Sequence, residues 1–259
     1  MIGFLRGLVL TLAVAACAPP APPATSAPAA AASAASVEPP KGPLNLEQDA
    51  QVRAIVRDYL LKNPELLTEM QAALEAKKTA EAHARLALLM PKIERDPRRF
   101  SVGPVNGKVT VVEFFDYRCP YCKVAFDWTQ ANMKANRDVR FVFVEFPILG
   151  PNSLEASKAA VASMKQGRYL PFHDAMMRAK GDLNSGQIDQ IAKSSGVDVV
   201  RMRRDMNDPA IMALLQEDQD IAAQGQINAT PTFLINGQLF SGFQPEEMDK
   251  SLRALRTRR

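Results

Sequence analysis

The chain has 259 residues, of which 47% are hydrophobic and 23% charged, with three cysteines, two histidines and a formal net charge of +4. That length suits one large domain, or one domain with an appendage, and the ordinary composition excludes wholesale disorder and collagen-like repeats. Three cysteines are too few for a disulfide-built mini-fold, and two histidines argue against a four-ligand structural zinc site; with no Lys/Arg-rich run, the weak positive charge points away from nucleic acid.

Residues 1–16, MIGFLRGLVLTLAVAA, set Arg6 before a short apolar run followed by small residues. This is the layout of a secretory signal peptide, and the run is too short to span a bilayer. Val14-Ala15-Ala16-Cys17 resembles a bacterial lipobox, which makes Cys17 a candidate for lipidation and outer-membrane anchoring. The alternative is ordinary cleavage nearby, releasing an unlipidated chain. Residues 17–45, rich in Ala and Pro, read as a disordered, extended tether.

Residues 46–98 read as a helical module of their own. Val52, Ile55, Val56, Tyr59 and Leu60 recur at helical spacing, and Asn63-Pro64-Glu65 interrupts the pattern, with Asn63 the expected cap and Pro64 in the first turn. A second helix is expected from Glu65, with Leu66, Leu67, Met70 and Leu74 on one side; Pro91 is expected to end or kink it. Two thin helices cannot bury such a stripe between them. It packs either on the rest of the chain or, the favoured reading, on other copies as a homo-oligomer.

The chemistry concentrates further on. Residues 108–115 read as a buried strand that runs into Asp116-Tyr117-Arg118-Cys119-Pro120-Tyr121-Cys122-Lys123; a helix over 124–134 and a second strand over 139–146 follow. A cysteine at a helix start sits in the field of the free N–H groups, which stabilises a thiolate. Cys119 is therefore the expected attacking sulfur, and Cys122, one turn on, the buried resolving thiol. Half of a zinc site has the same spacing, but no second CxxC or HxxxH accompanies this pair, so no metal or other cofactor is expected. Near the C-terminus, Thr230-Pro231 precedes two short strands, Phe233–Ile235 and Gln238–Ser241, joined by Asn236-Gly237. The Thr230–Pro231 bond is a candidate for the cis form.

Glu-Phe-Phe-Asp-Tyr-Arg-Cys-Pro-Tyr-Cys, taken with Thr-Pro-Thr-Phe-Leu-Ile-Asn-Gly, resembles the DsbA family of thioredoxin-fold thiol oxidoreductases. The prefix Ile-Val-Arg-Asp-Tyr-Leu-Leu-Lys-Asn-Pro-Glu-Leu is similar to the ScsC branch, associated with copper tolerance. The resemblance implies an α/β, thioredoxin-like catalytic domain over 99–259, with a helical insertion at about 152–227, preceded by an α-helical N-terminal segment. It implies Cys119 as nucleophile, Cys122 as resolving thiol, and Pro231 as a cis-proline facing them. It further implies Thr230 as a contact for substrate backbone and Glu113 as a buried acid below the active site. Pro120 and Tyr121 would support the pair; Tyr121 stands where the best-known oxidase of the family has His, which bears on oxidase strength.

The implied activity is envelope thiol–disulfide exchange on folding, disulfide-containing client proteins, as isomerase or reductase rather than oxidase, with a membrane redox partner and a periplasmic location. The alternative is a copper-tolerance protein that binds Cu(I) through the same two thiolates. Phe172-His173-Asp174 suggests a dyad, but a packing or helix-surface His173 is the simpler expectation. The methionines between 164 and 212 are expected to fill the core and a pliable binding surface.

Overall fold

The computed structural model describes residues 45–257. Cys17, the expected signal peptide and nearly all of the expected tether lie outside the described residues. The chain divides into two compact units between Lys62 and Asn63.

The first unit contributes α1 (Leu46–Lys62). Asn45 and Gln48 close its start reciprocally: the Gln48 N–H donates to Asn45 Oδ1 at 2.8 Å and the Asn45 N–H to Gln48 Oε1 at 3.1 Å. Its polar face carries the i,i+4 pairs Asp49–Arg53 and Asp58–Lys62. None of its residues is buried, and the expected stripe of Val52, Ile55, Val56, Tyr59 and Leu60 is exposed.

The second unit opens with α2 (Glu65–Arg95). Pro64, not Asn63, occupies its N-cap position. The helix continues through Pro91, so of the expected end or kink the end does not occur. Pro91 and Ala87, whose carbonyl loses its donor, both lie on the exposed face, where water can satisfy it. On the opposite face Met90 and Ile93 are buried and hold the last turns in place. Those turns also move the expected module boundary. Ala82, Leu86, Met90 and Ile93 are core residues of the second unit, whereas Leu67, Met70 and Leu74 are exposed.

The rest alternates strands and helices: β1 (Ser101–Val102), β2 (Val109–Phe115), α3 (Pro120–Ala135), β3 (Val139–Glu145), then α4 (Pro151–Met164), α5 (Tyr169–Arg178), α6 (Ser185–Ser194), α7 (Val199–Asp205) and α8 (Pro209–Gln224), and finally β4 (Thr232–Ile235), β5 (Gln238–Ser241) and α9 (Pro245–Thr257). The five strands form one mixed sheet in the order β1-β3-β2-β4-β5, with β2 and β3 parallel and the other pairs antiparallel. Every residue of central β2 is buried. Alternate side chains serve two cores: Val111 and Phe115 join one with Ala125 and Phe126 of α3, while Val112 and Phe114 join Leu86, Ile93 and Ile221 in the other.

Local signals explain the remaining boundaries. Gly167, Gly181 and Gly196 all have positive φ, and Asn184, Asp198 and Asp208 cap α6, α7 and α8. The hairpin turn is Asn236-Gly237, with φ of 47° and 83°. The Asn236 side-chain oxygen accepts from the Thr110 N–H at 2.8 Å and knits that turn to β2.

Because Leu86 is fully buried between α2 and the sheet, Leu86→Ala is expected to lower unfolding free energy by about 2–5 kcal/mol in urea titration. A loss below about 0.5 kcal/mol, the level of a surface change, would contradict the assignment of this turn to the core.

Candidate active site

The site forms where β2 ends. The Cys119 N–H donates to the Asp116 carbonyl at 3.0 Å, a tight turn that leaves Cys119 as the extended N-cap residue of α3. Pro120 takes the first helical position, where an N–H is not needed. The helix thus starts at Pro120, earlier than the expected 124, and includes Cys122 in its first turn. Cys122 is fully buried, Cys119 keeps 5% exposure, and Tyr121 is 70% exposed. Both cysteines are free thiols.

The partner for Cys119 comes from more than a hundred residues away. Antiparallel register pairs Phe114 of β2 with Thr232 of β4, so the residues just before Thr232 lie beside the residues just after β2. The Thr230–Pro231 bond is cis, and the Cys119 thiol donates to the Thr230 carbonyl at 3.2 Å.

The two sulfurs are driven apart in acidity. Cys119 is lowered to about 5, first by a hydrogen bond from the Cys122 thiol, then by the Thr230 side chain and the Cys122 and Tyr121 N–H groups, against an opposing effect of burial. Cys122 is pushed far up, chiefly by burial, with its donation to Cys119 adding to the effect. At neutral pH one sulfur is an anion and its neighbour a thiol, the asymmetry that nucleophilic attack followed by resolution requires.

Glu113 lies on the β2 face that carries α3, is 4% exposed, and accepts from the Thr129 hydroxyl at 3.0 Å. Burial raises it to about 8, and its Oε1 has no hydrogen-bond partner among the described residues. Its charge is felt at Cys122. The structure therefore brings Glu113, Cys119, Cys122, Thr230 and Pro231 together, with Pro120 and Tyr121 between the cysteines; Cys17 lies outside the described residues.

Several contributors escape sequence reasoning. Asp116 is 1% exposed; its carboxylate accepts from the N–H groups of Arg118, Ile148 and Leu149 and from the Ser153 hydroxyl, at 2.8–3.0 Å. It ties the approach to the cysteines to the β3–α4 loop. The only sequence signal is an acid between an apolar strand and a CxxC pair. His173 is buried, not on a helix surface. Its Nδ1 lies 3.0 Å from the Tyr117 hydroxyl, and burial lowers it to about 3, so it is neutral and forms no dyad with Asp174. Tyr117 and Tyr169 both donate to Glu145 Oε1, at 3.2 and 2.8 Å.

Because the folded-state value of Cys119 is depressed, its anion contributes to the stability of the reduced protein above the free-thiol range, and the contribution is lost as pH falls through about 5. Thiolate absorbance of the reduced protein is expected to titrate with a midpoint near 5, to vanish in Cys119→Ser, and to move upward in Cys122→Ala, which removes the strongest donor. A midpoint in the ordinary thiol range would contradict this electrostatic picture.

Comparison with known proteins agrees with this geometry. The family described as thioredoxin matches residues 95–254, and the copper resistance protein ScsC N-terminal domain matches residues 48–81. A thioredoxin-like oxidoreductase from Silicibacter pomeroyi superposes with a TM-score of 0.61 at 36% identity, covering 64% of this chain and 97% of that one. A linker-deletion mutant of Proteus mirabilis ScsC gives a TM-score of 0.67 at 25% identity, covering 83% and 98%. A Salinispora tropica protein named as a Na(+)/H(+) antiporter is 31% identical over 150 residues, 57% of this chain. The chain spans only 23% of that relative's length, and among the described residues no helix is long and apolar enough to cross a membrane. With its mixed sheet, its paired cysteines at a helix start and its helical prefix, this chain belongs to the thioredoxin-fold family as a DsbA-type, ScsC-like member.

Proposed function

We propose that the protein acts in the bacterial periplasm on disulfide-containing folding proteins, as an isomerase or reductase in preference to an oxidase. The observation that carries the reading is the Cys119 sulfur, lowered to about 5 at the start of α3 beside a buried Cys122 thiol and the Thr230 carbonyl. The Cys119 thiolate attacks one sulfur of a client disulfide. That S–S bond breaks, the other client sulfur leaves as a thiolate, and a mixed disulfide remains. If a client thiolate then attacks the client sulfur of the mixed disulfide, Cys119 is regenerated and the client is isomerised with no net electron transfer. If the Cys122 thiolate attacks Cys119 instead, the client leaves reduced and the pair is oxidised. A membrane redox partner must then return two electrons. Thr230, at the reactive sulfur, aligns the client backbone, and Pro231, Pro120 and Tyr121 shape the entry.

Glu113 takes the proton of Cys122 in this scheme. Raised to about 8, it holds its own proton below that pH, so resolution should accelerate as pH rises through about 8. Glu113→Gln is expected to slow resolution roughly a hundredfold and to abolish that rise. An unchanged profile would remove Glu113 from the step.

The preference for isomerisation rests on α1. Its exposed apolar stripe, in the segment matching the ScsC N-terminal domain, supports homo-oligomerisation through 46–98, which would set several active sites around one client. The Val14-Ala15-Ala16-Cys17 sequence supports export and a lipid anchor on Cys17, with membrane contact through that anchor alone. In the assay, the full chain should rescue a scrambled-disulfide protein and run as an oligomer, and deleting residues 46–62 should lower both mass and rescue. A monomer that oxidises reduced clients well but rescues none would overturn the isomerase reading.

The match to a copper resistance domain favours one second reading, Cu(I) held by Cys119 and Cys122. Stoichiometric Cu(I) uptake by the reduced form without turnover of scrambled substrate would favour it.

A further inference from the structure

Lys123 follows the resolving cysteine directly, in the first turn of α3, where a positive charge opposes the field of its own helix. Its side chain turns away to the end of another helix. Nζ donates to three carbonyls at the C-terminal end of α5, those of Met176 at 3.1 Å, Met177 at 3.2 Å and the cap residue Ala179 at 2.7 Å; the Met176 carbonyl also accepts from the Ala179 N–H at 3.2 Å. An ammonium has three N–H donors, and all three are used. With none left over, this group is a fixed charge and a clasp, not a proton donor to substrate.

We propose that Lys123 is a positioning residue for thiol–disulfide exchange: it clasps the end of α5 onto the redox helix and holds a fixed positive charge beside Cys122. The inference deepens the proposed function and rests on Cys122 as the resolving thiol. Through it the helical insertion, of which α5 is part, acts on the second chemical step. The groups that face it are consistent with that role. Burial lowers the Lys123 ammonium, while Cys122 and the Asp116 carboxylate favour its charge. Glu113 acts on Cys122 with the opposite sign. On α5 itself, Asp174 accepts from Gln130 Nε2 at 2.8 Å, and Arg178, the cation of the last turn, pairs with Asp127 at 3.5 Å instead of closing the helix end.

The magnitude follows from removing one adjacent cation. A neighbouring opposite charge commonly changes a thiolate population by about tenfold or more. A more basic thiolate is also a better nucleophile, with a Brønsted slope near 0.4–0.5, so the net slowing is about threefold.

The experiment uses the full chain, reduced and mixed with the disulfide of 5-thio-2-nitrobenzoate. Cys119 attacks the reagent and releases the first coloured thiolate, leaving a mixed disulfide. Cys122 then attacks Cys119, the Cys119–Cys122 bond forms, and a second coloured thiolate leaves. Lys123→Met is expected to slow the second release about threefold, to shift its pH–rate profile upward, and to speed hydrogen exchange at residues 176–179. Lys123→Arg is expected to restore the rate and the profile. If the Met variant does not fold, Lys123→Gln, which keeps donors without charge, is compared with Lys123→Arg on the same readouts. Faster exchange at α5 with an unchanged second release and pH profile would mean a structural clasp only and would overturn the proposal. A single release in the unsubstituted protein would overturn the resolving role of Cys122, and the proposal with it.

Discussion

A sulfur anion at the first turn of α3 governs the arrangement around it. Free N–H groups at a helix start favour negative charge, and Cys119 sits at the N-cap where those groups converge. Burial alone would protonate such a sulfur. It is outweighed by donors, foremost the Cys122 thiol, and the same hydrogen bond that lowers Cys119 raises Cys122. One contact therefore sets the two sulfurs apart. It also explains why the second cysteine lies one helical turn away, since that spacing brings its side chain to the same helix face.

The sheet supplies what the helix lacks. Central β2 is parallel to β3 and antiparallel to β4, so its C-terminal end meets the start of β4, and Thr230 arrives at Cys119. Beneath, the two-residue period of β2 aims Glu113 toward α3 while Val112 and Phe114 face the opposite core. A one-residue slip of β2 would turn the acid away from the cysteines and insert an apolar side chain. Register and chemistry are thus linked through a single strand.

Much of this was legible in the sequence because it is local. The apolar run of β2, the Cys-Pro-Tyr-Cys start of α3 and the Asn236-Gly237 turn each act through neighbouring residues. In two places burial decided what local preference left open. Pro91 does not end α2, because Met90 and Ile93 anchor the turns around it. The end of the prefix packs on the rest of the chain, one of the two packings the sequence left open, with Ala82 and Leu86 buried. The contributions of Asp116, Lys123 and Glu145 depend on partners 24 to 56 residues away, and no periodicity encodes them. His173 reads in sequence as a packing or helix-surface residue, and its burial among Phe115, Phe143 and Tyr169 is a matter of tertiary structure.

The most direct test of the account is brief alkylation of the reduced, folded protein at pH 6, with the modified cysteine identified by peptide mass. The asymmetry between the sulfurs predicts rapid modification confined to Cys119, with Cys122 unreacted until the protein is unfolded. Equal labelling of both, or labelling of Cys122 first, would contradict it.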